Sequence, residues 1–396
     1  MNFNFSITST LLLFLGVSAS VIFFTEIYTE IYPIFILVFT FLLLTLIKLK
    51  RIIITKSFLT TVFLFLILIL YYSINRNNGV IYDFEHEINS KTNLNIVYSL
   101  IVFFFTFLIG YLYGLQVEYP IKIFSKIFSI HLIIFLIYAL WLFFSEYSNS
   151  QINLSTGMRL LIFLPFFIFA FDLNNKKVLI FLYIVSITYL TLISNRGSII
   201  SITMFFVSYS LHPYLLKSRI LFKSYFFLNC FFIFIILYLY LVISDSEFFN
   251  KISLELFNKR INTRAFIWVE LIEIIKQKIW FGYGSDQLSK NIFYYGDFNR
   301  DNLSSHSTFL EIALKVGLFG LFIYLLLLYS IYTLFYSNSI NFLGRIGSSF
   351  LIGMLYAKLT TTYPISGNIV SNIMIWFFLA IAASKVIKEN SLKKIN

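Results

Sequence analysis

The chain is a succession of long apolar runs, and that feature excludes most architectures before any motif is read. A helix needs about 20 mostly apolar residues to cross a bilayer. Runs of this kind occupy residues 5–24, 31–47, 57–74, 94–115, 127–144, 160–172, 178–194, 198–216, 224–244, 309–336, 346–363 and 367–384, twelve in all. The sixth is short and holds Pro165. Hydrophobic residues make up 59% of the sequence and charged residues only 12%, more apolar surface than a soluble fold of this size can cover. The fold class expected is therefore all-α: a polytopic integral membrane bundle of about twelve helices, read as one domain over 1–396 because no linker or composition break divides it.

A formal net charge of +12 first suggests a nucleic acid or anionic-lipid partner. Its distribution argues instead for topology signals, because the basic residues cluster between apolar runs, and no nucleic-acid partner is expected. With the N-terminus inside, the cytoplasmic segments carry 16 Lys and Arg, against 4 in the short outside loops (Arg76, Lys91, Arg159 and Arg196). Both termini are then cytoplasmic. Residues 1–10 hold no basic residue, so the run at 11–24 reads as a retained span and not as a cleaved signal. The lone Cys230 allows no internal disulfide.

Between the ninth and tenth spans lies an outside loop, 245–305, far longer than ordinary connections. It holds eight basic and eight acidic residues, so any anion binding here must come from particular arginines. Within it, 263–281 reads as an amphipathic helix capped by Asn262 or Thr263 and ended by Gly282. Trp268, Leu271 and Ile275 form its apolar stripe, and Glu270, Glu273 and Gln277 its polar one. Such a helix lies along the membrane interface or packs onto the bundle.

Three features carry possible chemistry, each beside a plainer reading. Asn195-Arg196-Gly197 fills a hairpin of a few residues, which either holds an arginine at the membrane rim for function or lets it snorkel. Arg264 sits one turn before Trp268, with Arg260 a turn earlier if the helix extends that far, and arginine's planar fork matches phosphate oxygens. Pairing with a loop carboxylate is the alternative. Ser305-His306-Ser307 opens the tenth span, where a histidine can take a proton near neutral pH or serve as a polar interface residue. Glu311 and Lys315 follow at i,i+4 spacing, that of an ordinary ion pair, and Lys358 stands near enough to its span's end to snorkel.

Other chemistries fit poorly. Gly282-Tyr283-Gly284 lacks the third glycine of a dinucleotide fingerprint, and no Walker motif is present. The histidines His86, His131, His212 and His306 show no ligand spacing, so no metal and no cofactor are expected.

In order and spacing these segments resemble the O-antigen ligase and O-antigen polymerase (Wzy-type) membrane family. Ser194–Ser198 (SNRGS) is similar to its arginine hairpin, Arg264–Gly284 to its arginine–tryptophan helix ending in Gly-x-Gly, and His306–Gly320 to its histidine–leucine–glycine entry to a span. Two positions depart: Ile279 stands where the family often has proline, and Ser307 where it often has asparagine.

The resemblance implies a bacterial inner-membrane glycosyltransferase whose active face is periplasmic. Its donor and acceptor would be oligosaccharides on undecaprenyl pyrophosphate, met in the lipid bilayer, with a chain-length regulator and a flippase as further assembly partners. Arg196 and Arg264, with Arg260 as a third candidate, would hold the pyrophosphate, and His306 would receive the proton of the attacking hydroxyl. A polymerase is the reading favoured. A ligase that transfers the polymer to lipid A core is the alternative, and a flippase or other secondary transporter is the rival from another class.

Overall fold

The computed structural model describes residues 54–75, 94–116, 150–192, 196–244, 268, 271–284, 307–337, 341–360 and 369–392, with scattered residues between 125 and 137. These are helices and short turns, with no strand among the described residues. In chain order the helices are α1 (Lys56–Ile74), α2 (Leu94–Gln116), α3 (Ser150–Ala170), α4 (Lys176–Leu192) and α5 (Arg196–Leu215). They continue as α6 (Arg219–Ser244), α7 (Thr308–Leu334), α8 (Phe342–Thr360) and α9 (Ile369–Leu392).

Three of them hold described stretches long and apolar enough to cross a membrane by length and composition: α1, Arg219–Leu239 of α6, and α7. Their outward faces expose Leu59, Phe63 and Leu70 on α1, and Phe227, Phe231 and Phe232 on α6, an apolar surface that lipid solvates and water does not. The chain is a helical membrane protein. The predicted spans 5–24 and 31–47 and most of 127–144 lie outside the described residues.

One predicted boundary is corrected. The sixth span, read as 160–172, is a helix from Ser150 to Ala170, so Arg159 lies within α3 and not in an outside loop. Pro165 stays inside that helix. Three polar residues and a glycine, Ser155, Thr156, Gly157 and Arg159, hid the first half from a reading that counts apolarity.

Helix α8 is the hub, packed on α5, α9, α3, α7 and α6. It runs antiparallel to α5, since Arg345 stacks on Tyr209 while Gly353 meets the carbonyl of Ser201. It is antiparallel to α7, with Gly347 against Phe335 and Lys358 against Tyr324. The same holds for α9, with Gly344 against Val386 and Phe350 against Phe378. Helix α1 runs antiparallel to α7, joined near one end by Thr61 and Ser330 at 2.7 Å and near the other by Tyr71 and Val316.

Helices α2 and α9 run parallel and close. Gly110 and Gly114 of α2, four residues apart, face Ala380 and Ser384 of α9. A Cβ at Gly110 would lie 2.9 Å from the Ala380 Cβ and from the Phe377 carbonyl oxygen. In lipid no hydrophobic force joins helices, so small residues that let backbones approach supply the packing. Gly110→Leu is expected to push the pair apart at a cost of about 1–3 kcal/mol. The check is the thermal midpoint in detergent, which should fall below that of the unaltered protein. Leu112→Ile on the same helix conserves volume and should leave the midpoint nearly unmoved.

Candidate active site at the broken helix

Helix α7 is not one straight rod. Gly317 has φ 70° and ψ −175°, which divides α7 into a short half before it and a long half after it. Non-helical backbone at membrane depth needs partners for the bonds the break frees. A segment from within the long loop supplies them. The N–H of Tyr283 donates to the Leu314 carbonyl at 2.9 Å and that of Gly284 to the Lys315 carbonyl at 2.8 Å. In return the N–H of Leu318 donates to the Ile279 carbonyl at 2.8 Å and that of Phe319 to the Trp280 carbonyl at 3.3 Å. The Tyr71 hydroxyl donates to the Val316 carbonyl at 3.2 Å, and the Asn75 side-chain amide donates to the Phe281 carbonyl.

Glycine makes this clasp possible. A Cβ at Gly317 would run into the Trp280 carbonyl and sit 2.5 Å from the Phe281 nitrogen. One at Gly282, which has φ 66°, would lie 2.6 Å from the Leu314 carbonyl oxygen. The departure at Ile279 is harmless here, because the clasp uses that residue's carbonyl, which a proline offers equally. Ser307 stands at the N-cap of α7 with extended backbone and makes no side-chain cap bond.

The break also changes where α7 begins. Phe226 of α6 packs on Tyr329 with ring centroids 5.6 Å apart. Eight residues further along α6 lies Phe234, at the level of residue 321 in the long half of α7. Phe309 also reaches that level, at 6.3 Å, whereas a straight α7 would carry it more than three turns beyond. The half-helix before Gly317 thus folds back toward the bundle, and every residue from Thr308 to Val316 is buried. Within it Lys315 Nζ and Glu311 Oε1 form an ion pair at 2.9 Å, with the side chains 1% and 5% exposed. The spacing is that of the predicted ordinary pair, but the setting is an interior.

The loop helix packs as its stripe predicts. Residues 271–277 are helical, Trp268, Leu271 and Ile275 are buried, and Glu273 is exposed on the polar side, paired with Lys276 at 2.6 Å. The segment leaves the helix through Gly282 and enters the clasp. Its last turn exposes Trp280 and Phe281, beside a groove of about 640 Å³ that Tyr71, Ile74, Asn75 and Lys278 also line.

Of the predicted site residues, the structure describes one in part. Arg196 is the first residue of α5, and the end of the bundle it occupies follows from the packing. The antiparallel pairs α5–α8 and α8–α7 put the start of α5, the end of α8 and the start of α7 at one end. Arg260, Arg264 and His306 lie outside the described residues. The clasp nonetheless joins the chain twenty residues after Arg264 to the chain beginning two residues after His306.

Two interior features escaped the sequence reading. Lys358 does not snorkel: it is 2% exposed, its ammonium donates to the Tyr324 hydroxyl, and it lies 4.5 Å from that ring's centroid. At the opposite end Arg345 donates through Nε to the Tyr209 carbonyl at 2.6 Å, with its guanidinium 3.8 Å from the tyrosine ring centroid. A lysine late in an apolar run does not announce whether it points outward or inward, so only packing could reveal the first.

Residues 179–325 match the family model described as O-antigen ligase. That stretch takes in all three segments that carried the resemblance, and bears out the family reading there. A comparison with curated proteins finds no match.

Proposed function

We propose that this chain, whose residues 179–325 carry an O-antigen ligase family domain, is a polysaccharide polymerase of the Wzy type. It joins oligosaccharide repeat units linked to undecaprenyl pyrophosphate on the periplasmic face of the inner membrane. The observation that carries the reading is the clasp. Four backbone hydrogen bonds tie the end of the arginine–tryptophan segment to the glycine break late in the histidine segment, at the end of the bundle where Arg196 begins α5.

The chemistry follows from the bond that breaks. An acceptor hydroxyl attacks C1 of the donor's first sugar, a new C1–O bond forms, and the C1–O bond to phosphate breaks. Undecaprenyl pyrophosphate leaves with the bonding electrons. The bond broken already stores the driving force, so neither a nucleotide nor a metal is part of the proposal. Arg196 and Arg264, with Arg260, hold the charge that grows on the leaving pyrophosphate, which fixed donors stabilise as it develops. His306 takes the hydroxyl proton. The active face is periplasmic and both termini are cytoplasmic in this reading, with 245–305 as a loop inserted in a single membrane domain.

Arg196→Ala, Arg264→Ala and His306→Ala are each expected to abolish long polymer while protein levels stay normal. Unchanged long polymer in all three would overturn the assignment. Among enzymes, the product in a null strain separates the two members of the family. Loss of a polymerase leaves a single repeat unit on the lipid core, whereas loss of a ligase leaves the core bare and the polymer on its carrier.

A further inference from the structure

An ionisable side chain inside a membrane bundle is costly and usually faces a partner or a path for charge. Lys358 is such a group. It is 2% exposed, and among the described residues its polar contact is the neutral hydroxyl of Tyr324, with no carboxylate paired to it. The surrounding registers give this position its meaning.

Along α5 and α8, Tyr209 lies against Arg345 and Ser201 against Gly353, eight residues back on one helix for eight forward on the other. Five more steps on each bring Arg196 level with Lys358. Along α8 and α9, Gly344 lies against Val386 and Phe350 against Phe378. Continuing that register sets Lys358 at the level of residues 370 to 372, within about one helical turn of Asn372. Asn372 is fully buried, and neither its amide nitrogen nor its amide oxygen has a hydrogen-bond partner among the described residues. The folded-back start of α7 reaches nearly the same depth, because Phe309 occupies the level of residue 321, three residues from Tyr324. Among the described residues, one layer of the bundle thus holds an uncompensated ammonium, an unsatisfied amide, the first residue of α5 and the entry to the broken helix.

We infer that Lys358, with Asn372, is a further binding residue for the phosphate-bearing end of the lipid-linked substrate. This rests on the proposed reading of the site. In the resting protein the amine is held on the Tyr324 hydroxyl and ring, and a dianionic pyrophosphate supplies the counter-charge absent among the described residues. Asn372 donates an amide N–H to a phosphate oxygen. Lys358 so adds a buried cation at the level where Arg196 begins α5, and it selects pyrophosphate over a single phosphate because two phosphates can engage both cations while one engages a single cation.

The test is binding of undecaprenyl pyrophosphate and undecaprenyl phosphate to the full-length protein in nanodiscs, read by native mass spectrometry. Lys358→Met should weaken pyrophosphate binding about tenfold, the loss expected for one charge-assisted contact, and change monophosphate binding less than about threefold. Lys358→Arg should stay within about threefold of wild type for both. Lys358→Gln is one atom shorter but keeps a donor for Tyr324, and it replaces the methionine variant if that one does not fold. Wild-type pyrophosphate binding in the methionine or glutamine variant overturns the inference, as does equal weakening for both lipids. Arg196→Ala runs alongside. If it weakens binding and Lys358→Gln does not, only this inference fails, whereas unchanged binding in both removes the proposed pyrophosphate site itself.

Discussion

Gly317→Ala should leave a protein that inserts in the membrane but makes no long polymer, and its thermal midpoint should drop sharply. The backbone at Gly317, φ 70° with ψ −175°, lies in a region essentially open only to glycine. Occupying it with alanine costs on the order of 1–3 kcal/mol before any contact is counted. The new Cβ then meets the Trp280 carbonyl and the Phe281 nitrogen, which are backbone atoms fixed by the clasp and unable to swing aside. Relief requires the four clasp hydrogen bonds to lengthen together, and each bond lost leaves a polar group in an apolar interior at about 1–3 kcal/mol. Leu318→Ala is the control. It is the next residue along α7, but its side chain is exposed, so the change leaves the backbone break in place. A Gly317→Ala protein with wild-type midpoint and polymer would mean the break is dispensable.

The second large effect belongs to the buried ion pair. Lys315→Met removes the ammonium 2.9 Å from the Glu311 carboxylate and leaves that charge in an interior where the glutamate side chain is 5% exposed. Stranding one member of a buried pair typically costs about 3–5 kcal/mol. Replacing both, as Glu311→Gln with Lys315→Met, should recover most of the stability, because an apolar or neutral interior is often as stable as a paired one. The thermal midpoints of the two single variants and the double variant measure this. A double variant no better than Lys315→Met would show that shape and not charge holds the half-helix. If stability returns but polymer does not, the pair serves the reaction as well as the fold, which is the expectation for charges kept inside a membrane.

Much of the frame was readable from apolar runs alone. The helices at 57–74, 94–115, 178–194 and 198–216 fall within two residues of the predicted limits, because leaving lipid and leaving the helix coincide where lysine and asparagine cluster. The stripe of Trp268, Leu271 and Ile275 was legible too, since one side of that helix meets protein and the other does not.

The site was less so. Helix α7 before Gly317 is buried on every side, and a helix with no exposed face leaves no periodicity to read. Its Glu311 and Lys315 therefore look in sequence like a surface pair. The break gives no hydropathy signal, because glycine's conformation does not enter a count of apolarity. The signal that could have found it was joint: a Gly-x-Gly at 282–284 ending one segment and Gly317 within another call for backbones in contact. Lys358 was misjudged for a related reason, as distance along a span says nothing about which way a side chain faces.

The central claim is that this membrane protein extends a glycan by transfer from one lipid pyrophosphate to another. The most direct measurement places the purified chain in liposomes with undecaprenyl-pyrophosphate-linked repeat units, with chelator present and no nucleotide added. Product length and freed undecaprenyl pyrophosphate are then followed together. The account predicts a ladder of lengthening products, with one undecaprenyl pyrophosphate released per bond formed, both lost in His306→Ala. Repeat units that only cross the bilayer, unchanged in length and with no carrier released, would contradict it and favour a transporter.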